Sequence, residues 1–427
     1  MIGAGACGTL VAVHLLRATD ASVVLIDKSG DFGPGIAYAT DHPEHTLNVP
    51  AHLMGGLDEA DVDGFVRWLA PRIGTDPASL RLDYPARGHY GQYLRALLAE
   101  AQRAFPRRTT QVAHEALRIE RRAAGYRVHL AGAPACDVER VVLCIGNLPP
   151  PLVHPPDPNV IDNPWRALDA IPAHAHVVLV GTGLTMIDVA LELGGTRRIT
   201  AISRHGLIPA EDLQDAAYPD VFDPASARRG VRAVMRRLRA EVRVAAARGA
   251  HWQQVVDAFR MHNIAIWRAL DDRNRRRFLR HLKTIWIVHR HRLPPRHMRR
   301  IEAIAPRILR ARVLAVARDS RGLHLRVRPR AGNDLLRVDC DWVVNCTGPQ
   351  GDYTRVDMPL VRALFADGLA RPDGLRLGFE VGEDFRIAPG LYSVGAPTRA
   401  TFWEITAVPH FRRHIEALVK MIATEES

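Results

Sequence analysis

The hydrophobic positions at the start of the chain follow the order of a βαβ unit. A glycine-rich stretch at 3–8 leads into a run of helical character at 9–16, and an apolar strand pattern at 21–26 ends at Asp27. Only Met1 and Ile2 precede the glycines. Because a parallel sheet of this type places its first strand at the centre, we expect the natural chain to carry about half a strand or more upstream, by the usual strand length of 5–6 residues.

The same order returns later in the chain. A buried strand pattern at 176–180 is followed by the glycines of 181–183, a helix at 184–193 and another strand at 198–203. After each unit comes an alternating strand, at 125–130 and again at 322–327. A buried apolar strand ending in glycine then follows. The 427 residues therefore predict an α/β fold with two Rossmann-like dinucleotide-binding domains of the glutathione reductase type.

The domain boundaries follow from the same pattern. We expect a discontinuous FAD-binding domain at 1–165 and 330–427, and an NAD(P)H-binding domain at 166–329. Between about 225 and 304 the strand pattern gives way to apolar residues at helical spacing, which predicts a helical insertion. A helix around 410–418 closes the chain.

Charge concentrates in this insertion. Residues 226–300 hold 21 Lys and Arg but four Asp and Glu, whereas the whole chain carries +12. No apolar run approaches the roughly 20 residues that span a bilayer, and no secretion signal is recognisable. None of the five cysteines forms a C-x-x-C pair. We therefore expect a soluble protein of the reducing cytoplasm.

The first glycine stretch carries the strongest chemical signal. Gly3, Gly5 and Gly8 form G-x-G-x-x-G, and Asp27 follows at the end of the next strand. In this motif the glycines make a tight turn, admit a pyrophosphate and let helix pack on strand, while the acid accepts hydrogen bonds from a ribose. These residues predict a dinucleotide site.

The second glycine stretch keeps Gly181 and Gly183 but has Met186 in place of the third glycine. Its following strand ends in Ser203-Arg204 instead of an acid. A guanidinium there pairs with a 2′-phosphate that a carboxylate would repel. We therefore predict that this loop binds NADPH, with NADH as the alternative. The other interpretation is that Arg204 is a solvated arginine after a strand and contacts no ligand.

Several further motifs resemble one bacterial FAD/NAD(P)-binding flavoprotein family, which includes FAD-dependent urate hydroxylases and L-aspartate N-monooxygenases. The resemblance extends over nearly the whole chain. It is carried by the first eight residues and by the stretches 35–38, 47–51, 181–186, 278–282, 289–292 and 403–409.

The resemblance implies two dinucleotide domains, FAD, NAD(P)H and oxygenase activity. It implies that Gly395 lies near the flavin and that a helix starting at Thr406-Ala407 points its amides at the ring. Asn48, in the loop after Asp27, is a further candidate contact of the flavin. Urate is the first expected substrate and aspartate the second.

The basic insertion holds four candidate substrate residues. His289, Arg290, His291 and Arg292 alternate like a strand although they follow a helix pattern, and Pro294-Pro295 ends the run. One interpretation is that they hold an anionic substrate; the other is a solvated arginine-rich face. We expect no metal site, because no carboxylate or cysteine accompanies the histidines at ligand spacing. Nucleic-acid binding is not favoured, because no binding motif accompanies the charge.

These observations predict an NAD(P)H-using flavin monooxygenase that needs O2 and a small anionic substrate. Two alternatives stay open. A flavin-dependent reductase or dehydrogenase shares every motif, and a nucleotide-bound sensor or RNA-associated protein would use the basic insertion.

Overall fold

The structure is a computed structural model, and it describes residues 1–57, 61–151, 156–165, 167–213, 216–332, 334–405 and 407–426. The chain forms two compact units. The first consists of Met1–Leu148 and Gly351–Ser427, and the second of Pro149–Gln350.

The helices and strands fall into three chain segments. The first holds α1 (Ala6–Ala18), β1 (Val23–Ile26), α2 (Gly35–Tyr38), α3 (Gly64–Ile73), α4 (Pro77–Arg81), α5 (Arg87–Ala104), β2 (Thr109–Val112), β3 (Ala116–Arg122), β4 (Gly125–Leu130), β5 (Ala133–Val138) and β6 (Val141–Leu143). The second holds β7 (Val160–Ile161), β8 (His176–Val180), α6 (Leu184–Leu193), β9 (Arg198–Ser203), α7 (Val231–Ala247), α8 (Trp252–Arg260), α9 (Asn263–Ala269), α10 (Asp272–His281), α11 (Lys283–Arg290), α12 (Pro295–Ile304), β10 (Arg307–Asp319), β11 (Gly322–Pro329), β12 (Leu336–Asp339) and β13 (Trp342–Asn345). The third holds α13 (Pro359–Ala366), β14 (Arg386–Ala388), β15 (Leu391–Ser393) and α14 (Val408–Glu426).

A single residue stands at the centre of the first unit's sheet. Ile2 forms parallel bridges to Ile26 of β1 and to Leu143 of β6. Its amide donates to the Val142 carbonyl at 3.0 Å, and its carbonyl accepts from the Cys144 amide at 2.8 Å. Beyond these neighbours, β1 pairs with β2 and β6 pairs with β15, both in parallel. The short stretch before the glycines therefore occupies the central strand position that the sequence predicts.

A three-stranded antiparallel sheet, β3-β4-β5, belongs to the same unit. Buried Tyr126 and Val128 of β4 alternate with less buried neighbours. They join a core that includes Ile2, Ile26 and Leu143. Helix α1 contacts α5 and α14. The unit is therefore layered in the manner of a dinucleotide-binding domain.

The second unit is built on a seven-stranded sheet in the order β12-β11-β10-β9-β8-β13-β7. Strands β9, β8, β13 and β7 run parallel, as does the start of β10, whereas β10, β11 and β12 pair antiparallel. Along β8, Val177 and Leu179 lie in one core and Val178 and Val180 in another. A strand buried on both faces explains its uninterrupted apolar sequence.

The helices α7 to α11 of the insertion enclose a core of their own. Val234, Leu238, Val255 and Phe259 lie in it at helical spacing, as their sequence pattern predicts. The arginines of α7 between these positions are exposed. The charge of α7 is therefore carried on its outer face.

The expected fold class, α/β with Rossmann-type dinucleotide-binding domains and a helical insertion, is confirmed. The two units divide at Leu148/Pro149 and Gln350/Gly351, whereas the sequence pattern suggested 165/166 and 329/330. The difference arises because β7, β12 and β13 pair into the second unit's sheet. Among the described residues, no helix has the length and apolar character needed to cross a membrane.

Candidate dinucleotide-binding sites

The first glycine loop is shaped by close backbone approaches. Gly3 has φ +92°, and a Cβ there would overlap the carbonyl of Cys144. A Cβ on Gly8 would overlap the carbonyl of Gly3, so helix α1 can pack against the loop only without a side chain at this position. Two of the three predicted glycines are thus required by the turn itself.

Asp27 fixes this loop from the end of β1. One carboxylate oxygen accepts a hydrogen bond from the Ala4 amide at 2.8 Å, and the other accepts from the Ser29 amide and hydroxyl at 2.9 and 2.7 Å. The motif predicts a ribose contact for Asp27; the structure shows that the same carboxylate orders the glycine loop. The sequence did not predict this second role, because Ala4 occupies a variable position of the glycine motif and Ser29 belongs to no motif.

Helix α1 begins at Gly5 in a way that suits an anion. Among the described residues no side chain caps it, and its first turn holds no acid. Uncapped amides and the positive end of the helix dipole form a ready site for phosphate. Gly35 lies close to this helix start, since a Cβ added to Gly5 would lie 3.2 Å from the Cα of Gly35. The donor set therefore fits a pyrophosphate.

One further candidate, Gly395, lies beside this loop. Gly395 has φ +84°, and a Cβ there would lie 3.3 Å from the Cys7 sulfur in the first turn of α1. Ala407 accepts hydrogen bonds from the amides of His410 and Phe411 at 2.9 and 3.1 Å, which makes it the start of α14. The structure thus brings Gly395 to the glycine loop. Thr406 lies outside the described residues.

Asn48 is exposed and makes no hydrogen bond within the part of the chain that the structure describes. It lies between Thr46, which bridges to Ala86, and a 3₁₀ helix at Ala51–Met54. Its amide is thus available to a ligand, and its contact with the flavin stays a prediction.

The second glycine loop repeats the first. Gly181 has φ +121°, and a Cβ there would overlap the carbonyl of Cys346, which follows β13 as Cys144 follows β6. Gly183 begins helix α6, again without a capping side chain from the described residues and without an acid in the first turn. A Cβ on Gly183 would meet nothing within 4 Å. This loop therefore also leaves room for a phosphate.

Thr182 ties the second loop to the turn that carries Arg204. Its hydroxyl lies 2.8 Å from the Ser203 hydroxyl and donates to the Leu207 carbonyl at 2.6 Å. Arg204 is exposed directly after β9. Next to it, His205 accepts a hydrogen bond from the Arg330 guanidinium at 3.0 Å. Burial first, and then the nearby arginines, lower the pKa of His205, which favours the neutral form of its ring.

A cavity of about 310 Å³ opens beside His205. Arg310 and Arg330 line it from the sheet, and Arg280 lines it from the insertion. None of these arginines was a candidate from the sequence. They come from two distant parts of the chain. Arg280 lies in the family-like stretch 278–282 and in the charge excess of the insertion, whereas no motif marks Arg310 or Arg330.

The four basic residues at 289–292 do not form one anion-binding surface. Helix α11 ends at Arg290, so His289 and Arg290 are helical and the strand-like alternation is misleading. His289 is exposed, whereas Arg290 and Arg292 are buried.

The guanidinium of Arg292 is bound by other residues of the second unit. Its guanidinium pairs with Asp257 at 2.8 and 3.0 Å, reaches Asp212 at 3.4 Å, and donates to the carbonyls of Gln253 and His289. The same arginine therefore holds α8 against the end of α11. His291 contacts Arg290, and burial together with Arg290 and Arg260 keeps the pKa of His291 well below its usual range. A substrate role for these residues stays a prediction, with His289 the most accessible of the four.

Each unit thus carries the sheet, the glycine loop and the helix start without a capping side chain that are typical of a dinucleotide-binding domain, which defines the class as a fold with two dinucleotide-binding domains. Residues 1–148, the first segment of the first unit, match the model of a family described as FAD-NAD(P)-binding. No curated protein matches the sequence.

Solved structures extend the likeness to the whole chain. The chain is similar to a cadaverine monooxygenase from Erwinia amylovora bound to FAD, with 12% identity, TM-score 0.71 and coverage of 99% of this chain and 93% of that one. It is similar to an ornithine N-hydroxylase from Kutzneria sp. 744 with reduced FAD, NADP⁺ and L-ornithine, with 16% identity, TM-score 0.63 and coverage of 100% and 98%. It is also similar to a thioredoxin reductase from T. acidophilum, with 11% identity, TM-score 0.57 and coverage of 100% and 97%. The chain therefore shares the fold of these three proteins over nearly its whole length, as expected from the sequence.

Proposed function

We propose that this protein is a monooxygenase that binds FAD in its first unit, uses NADPH bound in its second, and N-hydroxylates a small primary amine. The reaction would consume one amine, one O2, one NADPH and one proton, and release one hydroxylamine, one water and one NADP⁺. One oxygen atom enters a new N–O bond, and the other leaves as water with the electrons of NADPH.

The observation that carries this proposal is the repeated glycine loop. Gly3 lies against the Cys144 carbonyl, and Gly181 lies against the Cys346 carbonyl. Each loop leads into a helix that no described side chain caps. Two such loops in one chain suit an enzyme that must hold two dinucleotides together. A protein with one nucleotide ligand needs a single loop of this kind.

The residues of the chain bind and orient. Amides at the start of α1 and α6 would hold the two pyrophosphates. Asp27 keeps the first loop in shape through Ala4, and Thr182 keeps the second in shape through Leu207. When bound, FAD supplies the two-electron chemistry and the activation of O2, which no side chain can perform.

The substrate class rests on the similar structures and on the resemblance. The cadaverine and ornithine enzymes act on amines. Of the two substrates expected from the resemblance, aspartate carries a primary amine and urate does not. We therefore place amino acids and diamines first, aspartate among them, and urate after them.

A reductase without oxygen transfer remains the alternative, because it would use the same two loops. A dithiol mechanism of the thioredoxin reductase type is disfavoured, since no two cysteines stand at C-x-x-C spacing. A flavin reductase that passes electrons to a free acceptor needs no such pair and must be tested directly.

The test is NADPH oxidation by the FAD-loaded protein across ornithine, lysine, cadaverine, aspartate and urate. Mass spectrometry should detect a product that has gained one oxygen from isotopically labelled O2. Peroxide must be measured in parallel. NADPH consumption that ends wholly in peroxide or in a reduced acceptor, with every amine unchanged, would show that the protein is not a monooxygenase of this class.

A further inference from the structure

A guanidinium with two buried, unpaired donors lies in the segment that follows Gly395. Arg399 comes directly after the 3₁₀ turn Ala396–Thr398. Its Nε and Nη2 atoms are both shielded from solvent, and neither has a hydrogen-bond partner within the described residues. Along the chain, Arg399 lies between Gly395 and Ala407, the two positions that are predicted to border the flavin. The first unit therefore holds an unpaired cation in a segment that is predicted to line the FAD site.

Two other titratable groups lie close to Arg399, and neither of them neutralises it. Tyr353 is 1% exposed, and its hydroxyl has no partner among the described residues. Asp373 is buried as well, but its two carboxylate oxygens accept the amides of Leu375 and Gly378 at 2.7 and 2.6 Å. Burial lowers the pKa of the Arg399 guanidinium, although Tyr353 and Asp373 act in the opposite direction. The charge of Arg399 is thus left largely uncompensated.

Other arginines of this protein use the same Nε–Nη2 edge to hold a carboxylate. In four pairs these two nitrogens donate to the two oxygens of one carboxylate at 2.6–3.0 Å: Arg95–Asp31, Arg118–Asp367, Arg127–Asp137 and Arg318–Asp157. The planar fork of a guanidinium matches a carboxylate in this way. A water molecule at Arg399 would satisfy the donors without balancing the charge, and a buried charge without a partner is costly. The free edge of Arg399 therefore favours a carboxylate that a ligand supplies.

We propose that Arg399 and the hydroxyl of Tyr353 bind the carboxylate of an amino-acid substrate. In this arrangement Nε and Nη2 of Arg399 hold both carboxylate oxygens, and the phenol of Tyr353 donates to one of them. This inference rests on the proposed N-hydroxylation of a primary amine. It narrows the substrates from amines in general to amino acids, because a diamine offers nothing to the guanidinium.

The experiment is a calorimetric titration of the full-length, FAD-loaded protein with two matched pairs of probes. L-Ornithine and putrescine form one pair, and L-lysine and cadaverine form the other; within each pair the compounds differ only in the carboxylate. Acetate and inorganic phosphate are additional probes, because they test whether the site takes any small anion. The variants are Arg399→Gln, Arg399→Lys and Tyr353→Phe. Arg371→Gln is the matched control, because Arg371 is an exposed arginine of the same unit.

We expect the parent to bind each amino acid at least about tenfold more tightly than its decarboxylated partner. Arg399→Gln should abolish this preference, and Arg399→Lys should retain part of it, because lysine keeps the charge and lacks the fork. Tyr353→Phe should weaken amino-acid binding by roughly three- to tenfold, as the loss of one hydrogen bond predicts. Diamine affinities, and all affinities of Arg371→Gln, should change by less than about twofold.

Thermal unfolding without ligand separates this site from a purely structural role of Arg399. Arg399→Gln removes a cation with two buried donors that lack a partner, so its unfolding midpoint should equal or exceed that of the parent. L-Ornithine should raise the midpoint of the parent but not that of Arg399→Gln. A lower midpoint of the ligand-free variant would show that the guanidinium serves the fold, and the inference would be wrong.

Three results of the titration would also overturn the inference. They are equal affinities of the parent for an amino acid and its diamine, an equal loss in Arg371→Gln, and binding of acetate or phosphate as tight as that of L-ornithine. The proposed function is judged separately, by oxygen transfer from labelled O2. If cadaverine gains oxygen and the carboxylate makes no difference to binding, the assignment of Arg399 fails alone. If amino acids bind through Arg399 and gain no oxygen, the carboxylate site stands and the proposed N-hydroxylation fails.

Discussion

Gly183→Ala separates folding from nucleotide binding in the second unit. Gly183 has φ −86° and ψ −167°, a conformation open to alanine, and an added Cβ meets nothing within 4 Å. The cost to folding should be a few tenths of a kcal/mol, as for other changes at a helix start that remove no capping group. The free space around this Cβ is where a pyrophosphate must approach the α6 amides. We therefore expect the loss of about one charged hydrogen bond, worth about 1.5–3 kcal/mol, or roughly a 10- to 100-fold weaker NADPH affinity.

Gly181→Ala is the contrasting variant. Its φ is +121°, and its Cβ would overlap the Cys346 carbonyl. The strained backbone alone costs about 1–2 kcal/mol, and the overlap adds to this, so we expect destabilisation of about 3 kcal/mol or more.

The assays are thermal unfolding, fluorescence titration with NADPH, and flavin absorbance. Gly183→Ala should unfold like the parent, retain FAD, and bind NADPH weakly. Should Gly183→Ala bind NADPH with the parental affinity, the second loop would not be a pyrophosphate site and the reasoning would be wrong.

Three further changes test other parts of the structure. Asp27→Asn should weaken FAD binding by about tenfold or more, because the Ala4 amide loses its charged acceptor; flavin fluorescence would report it, and NADPH affinity should not change. His291→Gln should make unfolding less sensitive to acid. Burial, Arg290 and Arg260 lower the pKa of His291 in the folded protein, so stability is lost as pH falls below the ordinary value of 6.5; urea unfolding at pH 7.5 and 5.5 measures this, and parallel profiles for variant and parent would contradict it. Arg292→Met should destabilise the protein by about 2 kcal/mol, since the carbonyls of Gln253 and His289 lose their donor and Asp257 is left with Arg260; an unchanged urea midpoint with weakened substrate binding would instead support a substrate role.

The sequence predicted the glycine loops because the physical requirement is local. A turn that bends at Gly3 or Gly181 needs a residue without a Cβ, and the strand and helix patterns on either side identify the turn. Apolar periodicity likewise predicted β8, α6 and the helices of the insertion, since burial on both faces or on one face leaves a direct trace in the residue order.

Other features required the tertiary structure. The basic run at 289–292 suggested either a site for an anionic substrate or a solvated arginine-rich face, but Arg292 is buried and pairs with Asp257 of α8. The boundaries of the two units differ from the predicted ones because β7 and β13 pair with each other. A two-residue strand such as β7 is too short to leave an apolar pattern in the sequence.

By itself, the sequence determined which residues can make a sharp turn, a helix or a buried strand, because these depend on neighbours along the chain. Only the tertiary structure decided which distant charges meet. It left Arg280, Arg310 and Arg330 around one cavity that no described carboxylate lines, whereas Arg292 pairs with Asp257. The reason is that Coulomb and hydrogen-bond energies depend on distance and burial, and neither can be read from the order of residues.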